Sequence, residues 1–448
     1  MTSRVRAVIL AAGKGKRMKS AVPKVLHKLC GRSLFEHVLA AVRDAGAREI
    51  IAVVSPDARA AIEGFGMRAV VQQPPNGTGH AAQLALDALP GDDPVLIVSA
   101  DMPLLPAALL RAVVEIREKT KAVAALLTAD VPLPTSFGRV MRESGRVARI
   151  VEHSDATPEQ QLVTEVNAGV YCFDAPALRD YLTRLSPANA QSELYLTDCI
   201  GLAVASGALV EAVTTRNHRD VIGVNTRAEL ARARAIMQRR ILRAHMLAGV
   251  TVVDPATTYV DIGVELSPDV SLLPQTHVLG ASKVGRGASV GPNTSLIDAV
   301  IGDGAVISYS IVRDSTIGPG VTVGPFAHIR GGSRVQADVH IGNFVELKNT
   351  EMGEGTKAGH LSYLGDADIG AGANIGAGTI TCNYDGKRKN KTQIGAGAFI
   401  GSHSSLVAPV DIGEGALTGA GSVVTHDVAA GERVAGNPAR PLPKKDRA

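Results

Sequence analysis

The strongest constraint on the fold is a period of six in the second half of the chain. Val278, Val284 and Val290 are six apart, and so are Ile317, Val323, Ile329, Val335 and Ile341. The interval returns at Ile369 and Ile375, then at Ile394, Ile400, Leu406 and Ile412. Glycine follows the aliphatic residue at Gly285, Gly318, Gly370, Gly395 and Gly413. One short strand per hexad points its aliphatic side chain inward and the next position turns a corner, so three hexads close one triangular coil. Each coil buries its interior only against its neighbours, so many coils are required. The spacing predicts a parallel β-helix.

Departures from the period mark candidate function. After Ile375 the register breaks at Cys382–Lys391 and resumes at Ile394, which predicts a polar loop thrown out of the solenoid. Loops on rigid scaffolds concentrate function. Taken alone, the run Lys387–Lys391 reads as a solvated charge cluster. A second irregular patch, Ala358–Asp366, contains His360, a candidate general base because imidazole titrates near neutrality. His328, His340 and His360 invite a three-histidine metal site. His328 and His340 precede their hexad's aliphatic residue by one place and His360 does not, which argues against it.

The first half is organised around Leu10–Lys24. The apolar run Val5–Ala12 reads as a buried strand. Gly13 and Gly15 then open the backbone, while Lys14, Lys16, Arg17, Lys19 and Lys24 crowd positive charge around it. Glycine lets backbone N–H groups approach a phosphate, and cations stabilise charge on a transferring phosphoryl group. Met18 stands where the P-loop and the dinucleotide fingerprint need a further glycine, so neither pattern fits. The reading is a nucleoside-triphosphate loop; the alternative is a solvated basic strand-to-helix loop, and Pro23-Lys24-Val25-Leu26 argues against it by stiffening the loop where one more lysine is delivered.

Short apolar runs at Val5–Leu10, Ile50–Val54, Val95–Ser99 and Ala122–Leu127 alternate with amphipathic stretches such as Leu34–Asp44 and Ala81–Leu89. That alternation predicts a doubly wound, mostly parallel α/β sheet with helices on both faces and ligands at the strands' carboxyl ends. Asp101 falls at such an end. Thr226 to Glu229 is a capping box. It opens a long helix to about Leu247 in which Leu230, Ala233, Met237, Ile241 and Met246 recur near helical spacing. The expected organisation is a nucleotide-binding α/β domain at 1–225, a linker helix at 226–248 and a β-helix domain at 249–448. A chain of 448 residues exceeds one core. Net charge is +4 and aromatics are 3% with no Trp, which argues against a nucleic-acid partner. Cys30, Cys172, Cys199 and Cys382 form no metal or disulfide pattern, and no stretch is long enough to span a bilayer, so a reducing cytoplasm is expected.

Over its whole length the chain resembles the bacterial bifunctional N-acetylglucosamine-1-phosphate uridyltransferases/glucosamine-1-phosphate N-acetyltransferases. The motifs are Leu10-Ala11-Ala12-Gly13 through Pro23-Lys24-Val25-Leu26-His27, Gly77-Thr78-Gly79-His80-Ala81 and Glu165-Val166-Asn167-Ala168-Gly169. Two more lie in the β-helix, His360-Leu361-Ser362-Tyr363 and Thr381-Cys382-Asn383-Tyr384-Asp385-Gly386. Ala100 departs from the usual glycine, and a small local adjustment is expected there. The resemblance implies a left-handed coil, an exception to the usual right-handed crossover. It implies acetylation of glucosamine 1-phosphate by acetyl-CoA, then reaction of N-acetylglucosamine 1-phosphate with UTP to give UDP-N-acetylglucosamine and pyrophosphate for cell-wall synthesis.

The resemblance also implies residue roles. Arg17 and Lys24 hold phosphates. Leu10, Ala11, Ala12, Gly13, Gln72, Gly77 and Thr78 surround the nucleotide, and Gly138, Glu152 and Asn167 contact the sugar. Asp101 and Asn225 are Mg²⁺ ligands. His360 is the acetyl-transfer base, with Arg330 and Lys348 on the sugar phosphate and Tyr363 and Asn374 in the sugar pocket. Ala377, Asn383, Tyr384, Ser402, Ala420 and Arg440 line acetyl-CoA, near the basic tail Lys444 and Lys445. It implies a homotrimer. The competing readings are a single-activity sugar-1-phosphate nucleotidyltransferase whose β-helix only assembles subunits, and a non-enzymatic scaffold.

Overall fold

A computed structural model describes residues 5–442, so Lys444 and Lys445 lie outside the described residues. The chain divides into two compact units between Met237 and Gln238, inside the helix Arg227–Leu247.

In the first unit the strand order is Val210–Thr215, Ala124–Asp130, Glu165–Phe173, Val95–Ser99, Arg6–Ala11, Ile50–Val54 and Arg68–Val71. Glu165–Phe173 runs antiparallel to both neighbours and every other pairing along this path is parallel. A hairpin, Arg139–Glu143 with Arg146–Val151, extends from it. Alternation along each strand feeds two cores. Ala7, Ile9 and Ala11 pack with Phe35, Val38 and Val42 of helix Leu34–Asp44 and with Leu110 and Val113 of helix Ala107–Thr120. Val8, Ile51 and Val53 pack on the other side with Ala82, Ala85 and Leu86 of helix Gly77–Ala88. Burial on both faces is why these strands read as continuous apolar runs. The chain winds from Arg6–Ala11 to Ile50–Val54 on one side and returns as Val95–Ser99 on the other. The crevice at such a reversal lies at the carboxyl ends of those strands, where Leu10–Gly13 and Asp101 stand.

The second unit is a solenoid of three long sheets, each built from one short parallel strand per coil. Along one face Val278, Leu296, Val312, Ile329 and Leu347 stack in register, and all are fully buried. Serines close the corners: Ser282 Oγ accepts the Ala299 N–H and Ser310 Oγ the Ala327 N–H, each at 3.1 Å. Val290 pairs with Ile307 and Ile307 with Val323, over coils shorter than three full hexads. This is why the interval of six lapses between Val290 and Ile317. The last strands, Arg433–Gly436 and Ala439–Pro441, form an antiparallel hairpin that ends the stack.

The capping box at Thr226 is present: Glu229 N donates to Thr226 Oγ1 at 3.1 Å and Thr226 N to Glu229 Oε2 at 2.8 Å. Leu230, Ala233, Met237 and Ile241 are buried, but Met246 is 40% exposed. The buried stripe passes to Leu242 and the helix ends one residue after Met246. Among the described residues no helix is long and apolar enough to cross a membrane.

Two candidate active sites

The first site begins where strand Arg6–Ala11 runs out. Gly15 has φ +57°, and a Cβ there would lie 2.7 Å from Lys24 Cβ. Only a residue without a side chain turns here and lets Lys24 pack behind the loop. Pro23 leads into the turn Lys24–Leu26. Lys24 Nζ donates to Asp101 Oδ2 at 2.7 Å and to Asn225 Oδ1 at 2.9 Å, with its side chain only 10% exposed. Asp101 follows strand Val95–Ser99, and its carbonyl accepts the Val224 N–H at 2.8 Å, which delivers Asn225 beside it. The Asn225 N–H donates to Glu229 Oε2 at 2.7 Å, so the helix cap also fixes Asn225. Ala100 is buried in the core and donates to the Leu10 carbonyl at 2.9 Å.

Two hollows meet here. One, of 460 Å³, is lined by Leu10, Ala11, Ala12, Gly13, Lys14, Lys16, Lys24, Gln72, Gly77, Thr78, Asp101 and Glu193. The other, of 260 Å³, is lined by Arg17, Gly138, Glu152, Asn167, Tyr171, Thr197 and Asn225. Leu10, Thr78, Ser99 and Asp101 belong to both. In the first, the buried Gln72 donates through Nε2 to the Gly77 carbonyl at 2.9 Å. In the second, a bulge between Asn167 and Tyr171, with Gly169 at φ +64°, re-aims the strand. Asn167 Nδ2 donates to the Tyr171 hydroxyl at 2.6 Å, and burial pushes that phenol's pKa up. Thr197 donates to Glu152 Oε1 at 3.0 Å, and burial raises the Glu152 pKa. A Cβ on Gly138 would sit 3.1 Å from Glu152 Oε2, so glycine leaves room for that carboxyl.

The Asp101 carboxylate and the Asn225 amide oxygen converge on one positive charge, the Lys24 ammonium. Two hard oxygens converging beside a lysine-rimmed hollow suit Mg²⁺, which keeps water and phosphate oxygens as its other ligands. The donor set fits that ion.

The second site lies on the solenoid. Ile341, Ala358, Ile375, Ile400 and Thr418 stack in register on one face. Two residues beyond each stand Asn343, His360, Ala377, Ser402 and Ala420, so His360 and three candidate cofactor neighbours share one edge. Arg440 pairs with Ala435 in the closing hairpin next to that stack. His360 Nδ1 lies 2.5 Å from Asn343 Oδ1. On the next face Arg330 and Lys348 are in register, and Arg330 pairs with Glu346 at 2.5 Å. Tyr363 stands opposite Glu346. Asn374 is opposite Lys357 and Phe399 on the His360 face, not on the Arg330 face.

The ejected loop is a pinned hairpin. Tyr384 bridges to Lys389 across it, and Asp385 Oδ1 accepts the N–H groups of Lys387 and Arg388 at 2.8 and 2.7 Å. Asp366 holds both ends: Oδ2 accepts Asn383 Nδ2 at 2.5 Å and its carbonyl accepts the Thr392 N–H at 3.1 Å. Lys387, Arg388, Lys389 and Lys391 are exposed, as a solvated run requires, and two of them also have a charged neighbour. Lys391 pairs with Asp368, and contact with the Lys348 amine, with its charge, lowers the Lys389 pKa. Thr197, Lys389 and Asp366 escaped sequence reasoning because only the fold brings them to their partners.

A model of the MobA-like NTP transferase domain matches residues 7–167, and one of the bacterial transferase hexapeptide, six repeats, matches 314–349 and 391–426. Nucleotidyl transfer at the head of a parallel sheet and a hexapeptide-repeat transferase thus occupy one polypeptide, which makes the chain a two-domain transferase. It is 46% identical to the bifunctional protein GlmU of Trichlorobacter lovleyi over 94% of this chain and 93% of that one. Identity is 45% to its counterpart in Heliobacterium modesticaldum, over 95% and 94%, and 45% to that of Streptomyces avermitilis, over 95% and 90%. The chain belongs to the GlmU family of bifunctional enzymes.

Proposed function

We propose that the chain makes UDP-N-acetylglucosamine in two steps. Residues 249–448 acetylate glucosamine 1-phosphate with acetyl-CoA, and residues 1–225 then join N-acetylglucosamine 1-phosphate to UTP, releasing pyrophosphate. Residues 226–248 link them. The observation that carries the reading is the meeting of two hollows at Asp101, one rimmed by lysines and one lined by the polar groups of Glu152, Asn167 and Thr197.

In the uridylyl step the attacking group is already a phosphate anion, so positioning and charge neutralisation supply the rate. Leu10–Gly13, Gln72, Gly77 and Thr78 hold the base and ribose. Lys24 and Arg17 neutralise phosphate oxygens. Gly138, Glu152 and Asn167 orient the sugar so that its phosphate reaches the junction at Asp101. Asp101 and Asn225 would hold Mg²⁺, which when bound neutralises charge on the phosphates.

In the acetyl step the amine attacks the thioester carbonyl, and His360 takes the amine proton. Arg330, Lys348 and Lys389 form a cationic group for the sugar phosphate, with Tyr363 and Asn374 on the sugar. Ala377, Ser402, Ala420, Asn383, Tyr384 and Arg440 follow the acetyl-CoA arm; small side chains leave it room. A homotrimer in the cytoplasm is the expected form. Self-association is supported by an exposed apolar ladder, in which the rings of Phe326 and Phe344 stack at 5.3 Å. Tyr309 and Leu361 extend that ladder. Such a patch suits coverage by another copy. The reducing compartment is supported by four free cysteines.

The test is a substrate panel on the purified chain. Thiol release with glucosamine 1-phosphate and acetyl-CoA, and pyrophosphate release with UTP, Mg²⁺ and N-acetylglucosamine 1-phosphate, are expected. Absence of thiol release from folded protein would leave only the nucleotidyltransferase.

A further inference from the structure

The geometry points to Asn343 as a positioning residue for acetyl transfer, holding His360 with its proton on Nδ1 so that Nε2 faces the substrate amine as the base. The inference rests on the assignment of His360 as the acetyl-transfer base.

Strands His340–Asn343 and Lys357–His360 pair in parallel, and Asn343 and His360 are direct partners at their ends. The spacing is therefore set by two coils of solenoid, a rigid element. Asn343 Oδ1 is an acceptor only, so with the amide placed this way the contact at 2.5 Å pairs it with a His360 Nδ1–H. A neutral imidazole carries one proton, and a proton on Nδ1 leaves the lone pair on Nε2. Left alone, the ring could carry that proton on either nitrogen and could turn, since His360 is exposed. The asparagine removes both freedoms without adding a charge. A carboxylate at position 343 would favour the imidazolium instead.

The remaining ionisable groups on the packed elements are Lys357 on the same strand and His340 opposite it. His403 lies two coils on, its ring against Gly378 of the coil between, whose N–H donates to the His360 carbonyl. His340 is occupied by Thr322, its Nδ1 2.7 Å from the hydroxyl. None of these makes the Asn343 contact.

The chemistry balances. The amine nitrogen forms a bond to the thioester carbonyl carbon, the carbon–sulfur bond breaks, and coenzyme A departs as thiolate. The proton lost by the amine passes to His360 Nε2 and then to the thiolate, so the base is regenerated. After protonation both ring nitrogens are donors, and Asn343 Oδ1 still accepts from Nδ1.

The experiment compares Asn343→Ala, Asn343→Asp and His360→Ala in the full chain, with acetyl transfer followed by thiol release from pH 5 to 9. General base catalysis contributes roughly 10²–10⁴-fold, and loss of orientation alone forfeits on the order of tenfold of it. Asn343→Ala should therefore lower kcat about tenfold with the KM for acetyl-CoA unchanged. Asn343→Asp keeps an acceptor oxygen, so kcat near the optimum should recover. Its acidic limb should move to higher pH by about one unit, because a neighbouring carboxylate stabilises the imidazolium. Wild-type kcat and pH profile in both Asn343 variants, beside an inactive His360→Ala, would overturn the inference alone. Full acetyl transfer by His360→Ala would overturn the inference together with the base assignment.

Discussion

Gly77→Ala tests how tightly the nucleotide hollow is bound to the fold of the first unit. Gly77 opens helix Gly77–Ala88 at φ +94°. A Cβ there would lie 2.5 Å from the Leu194 carbonyl oxygen, 2.8 Å from Glu193 Cβ and 2.9 Å from Leu194 N. Two of these three atoms are backbone and cannot rotate away. The same segment is stitched to the helix start: Leu194 N donates to Asn76 O at 2.9 Å, and Gly79 N to Leu194 O at 2.7 Å. Leu196 N donates to Thr78 Oγ1 at 3.0 Å. A left-handed backbone costs an L residue about 1–2 kcal/mol, and forcing a methyl into a filled space costs about 1–3 kcal/mol more. The sum, about 2–5 kcal/mol, is a large part of the 5–15 kcal/mol typical of a domain. Gly66→Ala is the control, because Gly66 has φ +73° and nothing within 4 Å of its missing Cβ. Only the backbone cost, about 1–2 kcal/mol, applies there. A two-unit chain does not unfold in one step, so uridylyl transfer should be the probe for the first unit during a urea titration. Gly77→Ala should lose uridylyl activity at lower urea than Gly66→Ala. Its KM for UTP should rise about tenfold, equivalent to about 1.4 kcal/mol, with acetyl transfer intact. Equal urea midpoints for the two variants, with wild-type KM for UTP, would refute the packing argument.

Glu152→Gln should stabilise the first unit at neutral pH. Burial raises the carboxyl's pKa, so the folded state binds this proton more tightly than the unfolded chain and loses stability as pH rises through the raised value. The gain in melting temperature should be present at pH 7 and vanish below the ordinary carboxylate range, while the KM for N-acetylglucosamine 1-phosphate rises; a pH-independent difference would contradict this. Glu229→Ala removes the carboxylate that caps Asn225 and Thr226 at 2.7 and 2.8 Å, a loss of about 1 kcal/mol at the helix start. A Mg²⁺ titration of uridylyl transfer should show a several-fold higher requirement, and an unchanged one would count against the cap's role. Lys389→Ala should raise the KM for glucosamine 1-phosphate several-fold and spare that for acetyl-CoA, and the reverse pattern would move Lys389 to the cofactor.

What the sequence reveals depends on how local the physics is. The inward residues Val278 and Ile329 on one face, and Ile341 and Ile400 on another, are visible as a period, because each coil repeats the same demand on the same positions. The strands Ile50–Val54 and Val95–Ser99 and the helix Leu34–Asp44 have the bounds that their apolar runs mark, since both faces or one stripe are buried. Met246 broke the pattern because the helix ends just past it, and helical spacing carries no information about where packing stops. The glycine–lysine loop is visible as composition, but the convergence of Lys24, Asp101 and Asn225 is not: the three are joined only by the sheet's return crossing and the helix cap. Thr197 on Glu152 and Lys389 beside Lys348 depend likewise on contacts between distant segments, for which a single sequence carries no signal.

The most direct measurement is of both half-reactions on two single-site variants of the full chain, His360→Ala and Asp101→Ala. Thiol release and pyrophosphate release are followed in parallel, each with its own substrates. His360→Ala should lose thiol release and keep pyrophosphate release, and Asp101→Ala should do the opposite. Loss of both activities in either folded variant would contradict two separate catalytic centres on one polypeptide.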